Sequence, residues 1–233
     1  MKFEYTKERP LRVCTTFSGY DSQCLALERI GIPYELVGWS EIDKYAIAAH
    51  NALFPQWSDR NFGDISKIDW DAVPDFDLLT YSSPCQDFST AGLQRGGAEG
   101  SGTRSSLLWE CKKAILAKHP KYLLQENVKG LVSQKFIRDF RKWEQWLAGE
   151  GYDNFCKVIN AKDCNVPQNR ERIFMVSTRD ETNFRFPDAV PLTVHLEDLL
   201  EENVGDEYYL SEKSIEGFRK HNEHHEAKGT GFM

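Results

Sequence analysis

The sequence predicts an α/β protein with a mostly parallel sheet that carries helices on both faces. Three observations support this class. Short apolar runs alternate with stretches of helical spacing up to about residue 180. Several runs end in Ser, Gly, Glu or Asn, as strands do where their carboxyl ends form a ligand site. The 233 residues are 40% hydrophobic and 28% charged, an ordinary globular composition that is sufficient for one sizeable domain.

Six apolar runs are the predicted strands, and helical segments lie between them. The strands are expected over 11–17, 35–39, 76–81, 122–125, 155–159 and 173–177. The helices are expected over 22–30, 44–53, 107–118 and 133–150, and the last has a clear apolar stripe. Asp43 precedes the second helix and is expected to cap it. After residue 179 the pattern weakens to a helical turn over 196–200 and a helix over 211–221.

Composition and charge bear on the partners and the location expected for the protein. Its 29 Lys and Arg against 36 Asp and Glu give a net charge of −7. This acidity argues only weakly against nucleic-acid binding, because a local basic face can lie on an acidic protein. No apolar run approaches the ~18 residues of a membrane span, and the N-terminus has no apolar signal core. We therefore expect a cytoplasmic protein without a membrane partner.

The cysteines and histidines do not indicate a metal site. The six cysteines include no Cys-x-x-Cys pair, so no zinc site is expected. The histidines at positions 221, 224 and 225 are interpreted as part of a solvated tail. Five cysteines are interpreted as small buried hydrophobic residues: Cys14, Cys24, Cys111, Cys156 and Cys164.

A first candidate site lies at the ends of the first strands. Residues 17–19 end the first predicted strand with a glycine, which lets a ligand approach the backbone ahead of a helix N-terminus. Glu41 ends the second strand, where doubly wound folds hold ribose hydroxyls. Asp64 and Ile65 follow a stretch that could end a further strand. These residues predict a nucleotide pocket, although a tight turn and a surface acid would give the same pattern.

A second candidate site combines a cysteine, a carboxyl group and two arginines. Pro84 stiffens the loop that presents Cys85 after the third predicted strand. Glu126 ends the next strand, so parallel pairing would bring it near Cys85. Arg170 and Arg172 point the same way if their segment is extended. A thiolate, a carboxyl group that can protonate a ring nitrogen, and guanidinium groups that can hold a carbonyl oxygen or a phosphate suit attack on an electron-poor ring.

Taken in order, these motifs resemble those of the DNA (cytosine-5) methyltransferase family over about residues 11 to 179. The matching motifs are Phe17-Ser18-Gly19, Glu41, Asp64-Ile65, Pro84-Cys85-Gln86, Glu126-Asn127-Val128 and Gln168-Asn169-Arg170-Glu171-Arg172. The resemblance implies the Rossmann-like fold of S-adenosylmethionine-dependent methyltransferases. It also implies a catalytic and cofactor-binding domain over 1–180, with the start of a truncated recognition region or a C-terminal tail over 181–233.

The resemblance implies S-adenosylmethionine as the methyl donor. Glu41 would bind the ribose hydroxyls, Ile42 would pack on the adenine, and Asp64 would bond the adenine amino group. The full set implied for the cofactor pocket is Phe17, Ser18, Gly19, Glu41, Ile42, Asp64, Ile65, Pro84 and Leu107.

The implied substrate is a cytosine flipped out of double-stranded DNA. Cys85 would attack carbon 6, Glu126 would stabilise the ring nitrogen, and Arg172 would hold the carbonyl group. Arg170 would help to position the Cys85 region. Further substrate contacts are implied for Gln86, Asn127, Val128 and Gln168. The setting implied is restriction–modification or phage self-protection in a bacterium or phage.

Two departures from the family pattern leave other functions open. Tyr20-Asp21 follows Gly19 where the family usually has another glycine, and Asp21 is expected to cap the next helix and to place a carboxylate near the methionine end of the cofactor. The closing Gly-Asn motif is not found, so a truncated or decayed copy, or one half of a split enzyme completed by a second chain, is expected. A catalytically silent module that binds cofactor or a partner chain, and a methyltransferase acting on tRNA, are the alternatives.

Overall fold

A computed structural model describes residues 5–84, 104–179 and 183–229, without the side chains of 104–106. Cys85 and Gln86 therefore lie outside the described residues. The chain forms two compact units, Met1–Leu192 and Thr193–Met233. The domain boundary predicted after residue 180 stays a prediction.

The described residues form a six-stranded sheet in the first unit. Its strands are β1 (Leu11–Thr16), β2 (Tyr34–Ser40), β3 (Leu78–Tyr81), β4 (Tyr122–Val128), β5 (Asp153–Asn160) and β6 (Glu171–Thr178). The spatial order is β2-β1-β3-β4-β6-β5. Pairing is parallel from β2 through β4, whereas β6 runs antiparallel to both β4 and β5. The predicted α/β class with a mostly parallel sheet is confirmed.

Among the described residues, four α-helices accompany the sheet, and their limits refine the sequence expectations. They are α1 (Ser22–Arg29), α2 (Lys44–Leu53), α3 (Cys111–Lys118) and α4 (Ile137–Gly149). Asp43 caps α2 as expected, since its side chain accepts the N–H groups of Tyr45 and Ala46. The predicted helix 107–118 begins as a 3-10 helix over Arg104–Glu110, and the predicted helix 133–150 becomes regular only at Ile137.

One face of the sheet is covered by α3 and α4. Leu79 and Leu123 of the sheet are buried together with Ile115 of α3 and Trp143 of α4. The Trp143 indole Nε1–H donates to the hydroxyl of Tyr81 at 3.2 Å, which satisfies two polar groups inside this core. The apolar stripe read from the sequence of α4 therefore serves as a core face.

The opposite face is covered by α1 and α2 over β1 and β2. Leu36 and Trp39 of β2 are buried with Cys24 of α1 and with Phe54, which follows α2. Further along the sheet, successive β4 residues alternate between half-buried and buried. The half-buried set, which includes Leu124 and Glu126, therefore points to the less covered face.

The second unit is built from short elements and one longer helix, α5 (Glu212–Ala227). No residue over 193–229 is buried. Large apolar side chains are exposed there, among them Leu196, Leu200 and Tyr208. Within the described parts of the chain, no helix is long and apolar enough to cross a membrane.

Gly38 lets β2 lie close to the loop that follows α2. A Cβ atom at this position would overlap the ring of Phe62. Phe62 is half-buried against the core, and its backbone N–H donates to the Trp39 carbonyl at 2.7 Å. Because the ring is held by its own backbone, it has little room to move aside.

We expect Gly38→Ala to lower the free energy of unfolding by about 1–3 kcal/mol, since an added methyl overpacks this contact. Urea unfolding followed by circular dichroism measures the change. Gly149→Ala is the matched control, because nothing lies within 4 Å of its added Cβ. Alanine also favours the helix end there by up to about 1 kcal/mol. Equal stability of the two variants would contradict the assignment of Gly38 as a close-packing position.

Candidate active site

The candidate site lies along the edge of the sheet at which β1, β3 and β4 end. Because β6 is antiparallel to β4, its first residues reach the same edge. Residues from these elements line a cavity of about 750 Å³. Its lining includes six residues predicted from the sequence: Phe17, Ser18, Gly19, Glu126, Arg170 and Arg172. The structure thus brings parts of the two predicted sites to one cavity.

Residues 17–21, called the β1 turn below, adopt an unusual backbone conformation. Phe17, Gly19 and Asp21 have φ angles of 54°, 58° and 66°. This left-handed region favours glycine, so Phe17 and Asp21 are kept there by the surrounding structure. The Ser18 N–H donates to the Ser40 carbonyl at 3.2 Å, which fastens the β1 turn to the end of β2.

The Glu41 carboxylate links the β1 turn to the start of α2. Its Oε2 accepts the Gly19 N–H at 2.9 Å, and its Oε1 accepts the N–H groups of Ile42 and Asp43 at 2.8 and 2.9 Å. Asn61 holds the Glu41 backbone by donating to its carbonyl at 3.1 Å and accepting its N–H at 3.2 Å. Since a carboxylate has roughly four acceptor positions, Glu41 keeps capacity for a ligand hydroxyl.

Asp64 and Ile65 do not follow the end of a strand, so that expectation was wrong. They lie at the start of a 3-10 helix over Ile65–Lys67, whose N–H groups need a cap rather than a strand partner. Asp64 caps it by accepting the Ser66 N–H at 3.0 Å. Hydrogen bonds from the Ser66 hydroxyl and then its backbone lower the pKa of Asp64. Asp64 therefore presents a carboxylate near the surface, whereas Ile65 is buried and anchors the loop.

Glu126 and Arg172 form an ion pair across β4 and β6. The guanidinium Nε lies 3.0 Å from the carboxylate Oε1, with side-chain exposures of 22% for Arg172 and 29% for Glu126. Arg172 Nη1 also donates to the Glu171 carbonyl at 2.8 Å. A guanidinium carries five N–H donors, so Arg172 keeps donors for a ligand carbonyl group.

Asn160 positions the segment that carries Arg170. Its Oδ1 accepts the Arg170 N–H at 3.0 Å, and its Nδ2 donates to the Asn169 side chain at 2.7 Å. The Arg170 carbonyl accepts the Ala161 N–H at 3.0 Å. Asn160 was not among the site residues predicted from the sequence, although an Asn at a strand end is a frequent turn residue.

Asn127 holds the residues that precede Cys85. Its side chain is buried and donates from Nδ2 to the Ser83 carbonyl at 3.1 Å. Its Oδ1 accepts the Val128 N–H at 2.9 Å. Asn127 is therefore buried in the covered core. There it fixes Ser83 and so restrains the backbone that continues to half-buried Pro84. The substrate contact implied for Asn127 finds no counterpart in these bonds.

The remaining predicted residues are not among those that line the cavity. Ile42 is 67% exposed beside Glu41. Leu107 is half-buried in its 3-10 helix, and Val128 packs against the covered core. Gln168 is exposed on the loop before β6.

An apolar floor of the cavity was not identified from the sequence as part of a site. Leu78, Leu124 and Phe174 come from the less covered face of β3, β4 and β6, and Ile159 comes from β5. Their alternation along the strands with fully buried residues could have indicated that they lie on the second face of the sheet. Leu27 of α1 closes one side of this floor.

The cysteines outside the predicted site are not all buried. Cys14, Cys24 and Cys111 are buried as expected, and burial raises the pKa of Cys111 to about 12. Cys156 and Cys164 are exposed, because the first lies on the edge strand β5 and the second in a loop of the cavity wall. Their interpretation as buried residues was wrong. Among the residues described, no group of three or more His, Cys, Asp and Glu side chains could hold a metal ion.

Comparison with protein families gives one match over most of the chain. The family described as C-5 cytosine-specific DNA methylase matches residues 11–233. The match therefore extends beyond residue 179, where the motifs recognised in the sequence end.

Two curated relatives are similar over most of this chain. It is 39% identical over 257 aligned positions to "Type II methyltransferase M2.ScrFI" of Lactococcus lactis subsp. cremoris, covering 88% of this chain and 71% of that protein. It is 36% identical over 233 positions to "Orphan methyltransferase M.SPRI" of Bacillus phage SPR, covering 87% of this chain and 52% of that protein. The chain thus spans between about half and about 70% of the lengths of these relatives.

A solved structure supports the fold. The S. pombe Dnmt2 methyltransferase aligns with a TM-score of 0.70 at 21% identity, covering 91% of this chain and 66% of that one. At this identity the similarity shows a shared methyltransferase fold of the Rossmann-like type.

We expect Glu41→Gln to lower the free energy of unfolding by about 1–3 kcal/mol. A glutamine has one acceptor oxygen, so its NH₂ group would face N–H donors that the carboxylate now satisfies. Thermal and urea unfolding measure the loss. Glu35→Gln is the matched control, because it removes a partly exposed ion pair with Arg60 that is worth less than about 1 kcal/mol. An equal decrease in the free energy of unfolding for the two variants would contradict a structural link through Glu41.

Proposed function

Because the chain belongs to the C-5 cytosine-specific DNA methylase family, we propose that it transfers a methyl group from S-adenosylmethionine to carbon 5 of cytosine in double-stranded DNA. The observation that carries the proposal is the Glu126–Arg172 pair at the cavity. In this pair, Glu126 is an acid that can serve a ring nitrogen, and Arg172 is a hydrogen-bond donor that can serve a ring carbonyl group. Both lie at the edge of the sheet at which Pro84 precedes Cys85 in the chain. The role of each residue below is part of the proposal.

The residues at the first two strand ends suit the cofactor. When bound, S-adenosylmethionine supplies an activated methyl group on its sulfonium. Glu41 is anchored by backbone N–H groups and has acceptor capacity for ribose hydroxyls. Exposed Ile42 offers an apolar surface for the adenine, and Asp64 offers an acceptor for its amino group. Phe17 and Gly19 line the cavity beside them.

The reacting base would be held by Glu126 and Arg172. The Cys85 thiolate would form a bond to carbon 6, while the electron pair of the ring double bond moves toward the nitrogen that Glu126 protonates. Carbon 5 would then take the methyl group that bound S-adenosylmethionine supplies, which would leave S-adenosylhomocysteine, and the ring nitrogen would return its proton to Glu126. Loss of the carbon 5 proton to a base restores the double bond and expels Cys85 as thiolate. Arg172 would donate to the cytosine carbonyl throughout, which requires it to share its donors between that oxygen and Glu126.

DNA is the favoured substrate because the matching family is described as C-5 cytosine-specific DNA methylase. The type II name of one relative and the phage origin of the other support a role in restriction–modification or phage self-protection. The solved structure named above does not decide between DNA and tRNA, because at 21% identity its similarity shows the fold alone. The relatives named above give no support for the second chain expected from the sequence.

Covalent capture tests the proposed reaction. The purified chain is mixed with S-adenosylmethionine and duplex DNA that contains 5-fluorocytosine, and the products are separated on a denaturing gel. Because fluorine blocks the final proton loss, we expect a DNA-linked band that requires both the cofactor and Cys85. Cys85→Ala is expected to abolish the band. S-Adenosylhomocysteine binding without any captured DNA would instead support the catalytically silent alternative.

We expect Glu126→Gln to lower the rate of methyl transfer by about 10²–10⁴-fold, since the amide cannot supply the proton for the ring nitrogen. Arg172→Lys should cost less, because an ammonium keeps the charge but loses the planar donor set. Single-turnover assays with labelled methyl donor measure both. Lys129→Ala is the control, since it removes the exposed ion pair with Glu171 at the same edge. A normal rate for Glu126→Gln would refute the acid role.

A further inference from the structure

Beneath the β1 turn lies a buried cluster of polar residues that the proposed chemistry does not use. Asp21 and His50 are both fully buried, and His50 Nε2 lies 3.5 Å from Asp21 Oδ2. Asp21 belongs to the β1 turn and His50 to α2, so this contact joins two elements that are 29 residues apart in sequence. Both side chains are fully buried, so the contact is closed to solvent.

Asp21 gives up a local hydrogen bond to make this contact. It occupies the N-cap position of α1, yet its side chain makes no capping bond, contrary to the sequence expectation. It also does not present a carboxylate toward a ligand, as the sequence analysis expected, because the side chain is turned inward. An Asp at an N-cap ordinarily satisfies the helix N–H groups. Here the left-handed backbone aims the carboxylate at α2 instead.

Hydroxyl groups connect Asp21 to the cavity wall. Thr15 Oγ1 donates to Asp21 Oδ2 at 2.9 Å, and a carboxylate can only accept, so the Thr15 proton is committed to this bond. Ser18 Oγ lies 2.9 Å from Thr15 Oγ1 and 3.3 Å from the Ser40 carbonyl, both of which it can reach as donor. The cluster therefore runs from cavity-lining Ser18 through Thr15 to Asp21 and His50.

His50 is held in place by an aromatic partner. Its ring stacks on Trp39 with centroids 3.7 Å apart and an interplanar angle of 19°. The Trp39 indole N–H donates to the Trp57 carbonyl at 2.9 Å, which fixes the tryptophan in turn. The imidazole therefore has a defined orientation in which Nε2 makes no hydrogen bond and lies 3.5 Å from Asp21 Oδ2.

The other titratable groups that face Asp21 are thiols, which offer it no cation. Burial, and after it the Asp21 carboxylate, raises the pKa of both Cys14 and Cys24, so these thiols stay neutral. Asp21 Oδ1 has no hydrogen-bond partner. Within the described parts of the chain, His50 is the group at ion-pair distance from this carboxylate. An isolated buried charge is costly, so the pair depends on both members.

We propose that Asp21 and His50 form a buried positioning pair that fixes the β1 turn to α2 and thereby sets how tightly the turn holds the cofactor. The part that concerns ligand affinity rests on the cofactor role proposed above. Glu41 joins the same two elements at the surface, through Gly19 on one side and Asp43 at the start of α2 on the other. The turn is thus fastened to α2 from two sides, and loosening the buried side should disturb the Gly19–Glu41 bond.

Two variants isolate the pair with little change of shape. Asp21→Asn keeps the size of the side chain and suits the left-handed backbone, because Asn tolerates that region. His50→Phe keeps an aromatic ring against Trp39 and removes both nitrogens. Ser177→Ala is the matched control, since it deletes a buried hydrogen bond to Asn154 on the far side of the sheet.

Two measurements on the full chain test the proposal. The first is amide hydrogen exchange at Gly19 in the free protein, read by NMR. The second is the Kd for S-adenosylhomocysteine, measured by calorimetry. We expect each single variant to speed Gly19 exchange and to raise the Kd by about tenfold. The double variant should be no worse than the poorer single variant, because the two residues act as one unit. Ser177→Ala should lower the melting temperature and leave both quantities unchanged.

The outcomes separate this inference from the proposed function. The proposal of a positioning pair would be overturned if Asp21→Asn kept the exchange rate and the Kd of the unchanged chain. It would also be overturned if the factors by which the two single variants raise the Kd multiplied in the double variant. A loss of affinity in Ser177→Ala equal to that of the pair variants would overturn it too, since general destabilisation would then explain the effect. If the unchanged chain does not bind S-adenosylhomocysteine, the proposed cofactor role fails. The exchange rates of Gly19 would still decide whether the pair fixes the turn.

Discussion

The Glu41 carboxylate is the contact on which the geometry of the candidate site depends. It accepts N–H groups from Gly19, Ile42 and Asp43, and so joins the turn after β1 to the first residues of α2. A parallel sheet brings its strand ends to one edge but leaves the loops beyond them free to diverge. A charged acceptor that bonds to backbone donors of two loops removes that freedom, because such bonds are stronger than those between neutral groups. The ligand-facing atoms of the turn are therefore set by main-chain geometry.

Uneven covering of the sheet gives this edge a cavity. On one face, α3 and α4 bury β3 and β4 completely, and Trp143 at the centre of that core bonds to Tyr81. On the other face, α1 and α2 cover β1 and β2, while Leu124 and Phe174 stay half-buried. The fully covered face holds the side chains of the sheet in place, and the less covered face leaves the space that forms the cavity. Glu126 and Arg172 project into that space from strands whose opposite faces are fully packed.

The sequence predicted the strands and helices well, and the contacts between distant residues poorly, for physical reasons. Alternation and helical spacing are local signals, so β4 and α4 could be located within a few residues. Asp21 was expected to cap α1, and only the buried imidazole of His50 explains why it does not. The local pattern around Cys156 predicts a core residue. Its exposure is explained only by the strand order, in which β5 is an edge strand. Partner choice across the fold depends on strand order, which the local pattern does not encode.

The three carboxylates of the candidate site differ in what satisfies them, and this difference separates their chemical roles. Glu41 is bonded by backbone N–H groups, and Asp64 by Ser66 of its own loop. The backbone N–H donors of each set cannot leave without a change in the loop, so these two carboxylates are suited to holding a ligand. Glu126 is paired instead with Arg172, a long side chain whose guanidinium can turn toward another acceptor. A carboxylate whose partner can be drawn away by a substrate carbonyl group is the one able to exchange a proton during a reaction. The roles proposed for Glu126 in acid chemistry, and for Glu41 and Asp64 in binding, are therefore supported by the mobility of their partners and do not require a difference in the carboxylates themselves.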